Sequence, residues 1–167
     1  HQVRVNIAAL MSAIIKWKQF EVAFIAIFSA IILIMFYVVI SMNGVVLGND
    51  PAVHLEKAQI FLRTGEISLA NLGWTPPLYQ IILATLISLS GAVDIGQYIF
   101  LVKVLTVVVN WLLFMSVYLI GSRFFNRKVG VTAAVLLLMC FPVFEANQFG
   151  GYTTVLALAF MLLVFLY

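Results

Sequence analysis

Apolar residues run almost unbroken through four stretches of this chain, and most of the acidic ones gather after the first. Phe20–Ile40 carries only Glu21 as a charge, at its very start. Twenty-one residues at ~1.5 Å each reach roughly 31 Å, one bilayer core. Tyr98–Ile120 is a second full-length run, interrupted by Lys103 and Asn110. Val129–Phe144 is a third, ended by Pro142, and Tyr152–Tyr167 begins a fourth. Leu78–Ser90, opened by Pro76-Pro77, is apolar but short for a crossing, and suits an interfacial or re-entrant helix. Val3–Trp17, with Arg4 and Lys16, suits a short helix at the membrane surface. The pattern predicts an all-α, polytopic transmembrane protein with about four spans and juxtamembrane helices in a long first external loop.

Charge sets the expected orientation. Arg4, Lys16 and Lys18 precede the first span, and Arg123, Arg127 and Lys128 lie between the next two long runs. Cytoplasmic loops carry the excess of Lys and Arg, so both groups belong inside. An even number of spans must then separate them, and Leu78–Ser90 should not cross. The expected organisation is a cytoplasmic or interfacial segment (1–19), a first span (20–41) and an external loop (42–97) with helices near 51–63 and 78–90. A second span (98–120), a basic turn (121–128), a third span (129–144), a second external loop (145–151) and a fourth span (152–167) follow. The apolar run is unfinished at Tyr167, so the chain is expected to be the N-terminal part of a longer membrane protein.

Composition agrees with lipid as the main solvent. The chain is 65% hydrophobic and 9% charged, with mean hydropathy +1.17. Its net charge of +3 comes from scattered cations, without the basic stripe that nucleic acid requires. The single cysteine, Cys140, excludes an internal disulfide and a thiolate metal cluster.

Gly48–Tyr79 is the one long segment that is not mostly apolar, and it holds Asp50, His54, Glu56 and Glu66, with Asp94 just downstream. Asn49-Asp50-Pro51 reads as a helix start, with Asp as N-cap and Pro in the first turn, and Thr64-Gly65 as its end. A carboxylate at that point is also placed to take a proton from an acceptor hydroxyl or to hold a divalent cation. His54 and Lys57 share its helical stripe. Lys57 and Arg63 suit a phosphate at head-group level, or snorkelling to those same head groups. Trp74 and Tyr79 suit either an interfacial aromatic belt or a sugar-stacking surface. Lys103 is near enough to the start of its span to snorkel outward, and Asn110 suits a bond to a neighbouring helix. Glu145 faces the same compartment as Asp50. No GxSxG, P-loop, HExxH or dinucleotide fingerprint is present.

The order of parts, one span, then NDPAVHLEKAQIFLRTG, then WTPPLYQIILATLISLSG, then a span ending GSRFFNRKVG, resembles the N-terminal half of GT-C membrane glycosyltransferases. That superfamily includes protein O-mannosyltransferases, the aminoarabinose transferase of lipid A and oligosaccharyltransferase catalytic subunits. The resemblance covers roughly Phe20–Tyr167. It implies a polyprenyl-phosphate sugar donor, a protein or glycolipid acceptor and an active side facing outward from the cell membrane. Asp50 matches the family's first-loop acid, the catalytic base or a metal ligand by branch. His54, Lys57, Arg63, Trp74 and Tyr79 are the candidate substrate-binding residues. Asp50 and Glu145 are the candidate ligands for Mg or Mn. The second loop, FPVFEANQFGGYTT, has no Asp, and Glu145 comes earlier than the family's second acid; the Asp-Glu pair of eukaryotic-type O-mannosyltransferases is missing too. The alternatives to a transferase module are a non-catalytic membrane subunit and a small transporter component. Few ionisable groups lie in the spans to line a transport path.

Overall fold

A computed structural model describes residues 7–41, 50–66, 76–140 and 151–166. Those residues form six α-helices and no strand: α1 (Ile7–Ser41), α2 (Asp50–Thr64), α3 (Leu78–Ser90), α4 (Ile95–Phe124), α5 (Arg127–Leu138) and α6 (Tyr152–Val164). Among them α4 is the helix long and apolar enough to cross a membrane; Val22–Val38, Leu78–Ser90 and Tyr152–Val164 are shorter apolar stretches.

The surface helix and first span expected as separate elements are one continuous helix of 35 residues. No glycine or proline interrupts Ile7–Ser41, so nothing in the backbone breaks it. α2 opens at Asp50 and closes where expected. Gly65 takes the left-handed φ of 69° and donates its N–H to the Phe61 carbonyl at 2.8 Å, the geometry glycine adopts without strain. The proline pair opens α3, and Gly91, also left-handed at φ 65°, ends it.

Asp94 caps α4. Its carboxylate accepts the Gln97 N–H at 2.9 Å, and the Gln97 side-chain oxygen accepts from the backbone of Asp94 (3.4 Å) and of Val93 (2.7 Å). This capping box starts the helix three residues before the apolar run does. At the other end, α4 and α5 turn through Phe125 and Asn126. Asn126 caps α5 by accepting the Val129 N–H at 3.0 Å. Gly121 and Gly130 make the turn tight: a Cβ on Gly121 would stand 2.7 Å from the Gly130 Cα.

α4 is the central pillar. On one side Phe28, Ile32 and Phe36 of α1 pack with Val107, Phe114 and Tyr118, joined by Ala134 of α5. On the other, Ala58 of α2, Tyr79, Leu83 and Ile87 of α3, and Val155, Leu156 and Ala159 of α6 pack with Val102, Leu105, Val109 and Leu113. α3 doubles back along the N-terminal third of α4, since the chain turns at Gly91–Asp94 and Tyr79 meets Thr106.

Candidate functional site

The polar residues buried in this second cluster come from four helices. His54 of α2 is 1% exposed, Tyr79 and Gln80 of α3 are as deeply buried, and so are Thr106 of α4 and Tyr152 of α6. The three rings of His54, Tyr79 and Tyr152 form a triangle with centroids 5.3, 5.6 and 6.1 Å apart. Such tilted contacts add to what area burial alone supplies.

Each polar tip inside the triangle has a partner. Gln80 lies 3.0 Å from His54 Nδ1. The hydrogen-bond network assigns its amide oxygen toward the ring, so that Nδ1–H donates to Gln80. The amide NH2 then donates to the carbonyls of Pro76 (2.7 Å) and Pro77 (3.1 Å). The opposite orientation would aim two donors at a donor and an oxygen at two oxygens. The Tyr79 hydroxyl stands 3.3 Å from Thr106 Oγ1, which itself donates to the Val102 carbonyl at 2.8 Å. Thr106 Oγ1 therefore accepts from Tyr79. Tyr152 closes the group from α6, its ring 5.6 Å from that of Tyr79 and 6.1 Å from that of His54. Burial pushes the Tyr79 phenol far above its ordinary value, against a smaller opposing pull from Thr106, so it stays neutral.

Asp50, in the first turn of α2, is half-buried above this floor. Lys57 is half-buried two turns on, while Arg63 is exposed at the far end of the helix. Thirteen residues of helical rise put Arg63 about 20 Å from Asp50 along the axis, against about 10 Å for Lys57. The structure brings Asp50, His54 and Tyr79 together and leaves Arg63 apart. His54 and Tyr79 lie inside the protein, where neither presents a ring face to a sugar. Trp74 and Glu145 lie outside the described residues. Among the described residues no three His, Cys, Asp or Glu side chains gather as metal ligands.

Sequence reasoning missed Gln80, Thr106 and Tyr152. A signal for Thr106 was present: Lys103, Thr106 and Asn110 fall at helical spacing in an otherwise apolar run, and all three are buried. Lys103, expected to snorkel, is only 9% exposed. Asn110 is buried and donates to the Thr106 carbonyl one turn back at 2.8 Å. Asp94, grouped with the loop's other ionisable residues, is a helix cap.

No family model, curated protein or solved structure matches this chain.

Proposed function

We propose that this chain is the N-terminal module of an integral membrane glycosyltransferase of the GT-C kind, using a polyprenyl-phosphate sugar on the extracytoplasmic side of the cell membrane. α1, α4, α5 and α6 are its four spans, with the turn of Arg123, Arg127 and Lys128 in the cytoplasm, and α2 and α3 are its juxtamembrane helices. The observation that carries the reading is the placement of Asp50. It is the half-exposed carboxylate in the first turn of α2, one turn before His54 and the partnered polar group that His54 joins.

In this reading Asp50 takes the proton of an acceptor hydroxyl. The hydroxyl oxygen bonds to the anomeric carbon of the donor, and the bond from that carbon to the phosphate oxygen breaks. The polyprenyl phosphate leaves with the electron pair. Lys57 is the nearer α2 cation to that developing charge, and Arg63 is too far along the helix to share the work. His54, Gln80 and Tyr79 hold α2 in place and do not touch the sugar. The family's divalent cation would need several oxygen ligands. The described residues gather no such set around Asp50.

The test uses the full-length natural protein in liposomes with a labelled polyprenyl-phosphate sugar and its acceptor. Transfer should vanish in Asp50→Asn while donor binding persists. Undiminished transfer by that variant would overturn the assignment. Donor binding without transfer in either protein would identify a non-catalytic subunit instead.

A further inference from the structure

We infer that the outer edge of the bilayer's hydrocarbon crosses α4 at Thr106 rather than at its first turn, so that the α3–α4 hairpin stands outside the membrane. This rests on the membrane topology of the proposed reading, not on its sugar chemistry.

Length gives the first argument. α4 has 30 residues, about 45 Å at the helical rise, and a core of about 30 Å would hold it only at a tilt near 48°, beyond the usual limit of about 40°. Counting outward from Phe124, beside the basic turn, Thr106 comes after 18 residues of rise, or about 27 Å. That is close to one hydrocarbon thickness.

Convergence gives the second. α6 begins at Tyr152, whose ring lies 5.6 Å from that of Tyr79, and α2 carries His54, about one turn from its start, with its ring 6.1 Å from that of Tyr152. α3 begins beside Thr106, through Tyr79. Three helices thus start at the level of one residue of α4, as helices do when a boundary plane fixes where each enters or leaves lipid.

Polarity gives the third. Inward of Thr106 the large exposed side chains short of the basic turn are apolar, among them Val108, Leu119, Leu136, Phe160 and Met161. Beyond it, the hairpin tip carries Ser90, Gln97 and the exposed charge of Asp94. An unpaired exposed carboxylate is disfavoured in hydrocarbon. The tip also exposes Leu89, Val93 and Ile95, which lipid would cover if the hairpin leaned into the leaflet. That is the arrangement the test must exclude.

Single cysteines at Ile95, Phe100, Val108 and Leu119, in a background freed of other cysteines (Cys140→Ser), would be introduced into the full-length natural protein. Sealed vesicles with the external face outward would then meet a membrane-impermeant maleimide. Ile95→Cys and Phe100→Cys should react. Val108→Cys and Leu119→Cys should react at least about tenfold more slowly, because an apolar surround raises the thiol pKa and each unit removes nine-tenths of the thiolate. All four should react alike once unfolded. Slow labelling at Ile95 and Phe100, or fast labelling at Val108, would overturn the boundary. Nitroxides at Leu89 and Leu119 give a second measurement. A water-soluble nickel chelate should relax the first and oxygen the second, and the reverse result would place the hairpin in lipid. Loss of sugar transfer with this labelling pattern intact would remove the enzymatic reading and leave the boundary standing.

Discussion

His54 on α2 and Gln80 on α3 meet 3.0 Å apart through the imidazole Nδ1 and the side-chain amide, 26 residues apart in sequence. The amide passes the connection on to the carbonyls of Pro76 and Pro77, so the helix pair is tied at the point where α3 begins.

Breaking that tie should destabilise the protein. Gln80→Ala leaves a buried imidazole N–H and the Pro76 carbonyl without this partner, a loss on the order of 1–3 kcal/mol. His54→Ala adds a cavity to the same loss. Because both act on one bond, their effects should fall short of additive in a double-mutant cycle followed by thermal unfolding in detergent. Full additivity would show that the bond contributes nothing.

Asp94 and Asp50 should separate cleanly. Removing the cap with Asp94→Ala should lower stability by about 0.5–2 kcal/mol and leave the turnover number of sugar transfer unchanged. Asp50→Asn should abolish turnover. Equal loss of turnover in both variants would contradict the division.

Alkaline pH should weaken the fold through Tyr79. Its phenol titrates above the ordinary value of 10.0 in the folded protein because burial disfavours the phenolate. The unfolded chain releases that proton first, so stability is complete below pH 10 and falls as pH rises beyond it. Tyr79→Phe removes the titrating group, and its unfolding temperature should fall less steeply between pH 9 and 11. An unchanged slope would mean that Tyr79 is not the group responsible.

The α4–α5 turn should not tolerate a methyl group. A Cβ at Gly130 would stand 2.6 Å from the Tyr118 carbonyl oxygen and 2.8 Å from the Ser122 nitrogen, backbone atoms that cannot swing aside. Gly130→Ala should cost about 1–3 kcal/mol. Retained stability would mean that the two helices sit further apart than described.

Local chemistry was legible in the sequence where it is written in neighbouring residues. Asp50-Pro51 and Thr64-Gly65 bracket α2, and Pro76-Pro77 opens α3, because capping and proline restraint act within a turn. Asp94 and Gln97 carry a capping signature three residues apart, which is local and legible too. The candidate site was legible only at Asp50, His54 and Tyr79, and there as surface chemistry. What buries His54 and Tyr79 is contact with Gln80, Thr106 and Tyr152. Those contacts depend on how four helices meet, which no local pattern encodes. The continuity of α1 is not written in polarity: a change near Lys16 and Lys18 does not interrupt a backbone that lacks breakers.

The glycine pair at Gly121 and Gly130 has a consequence for biosynthesis. With no side chain between them, α4 and α5 have their mutual seat as soon as the intervening nine-residue step has been synthesised. In the proposed topology the pair would leave the translocon as one hairpin, its basic turn held back on the cytoplasmic side. A translation-arrest force profile should then show a single pull for the two helices, and two separate pulls would mean that each inserts alone.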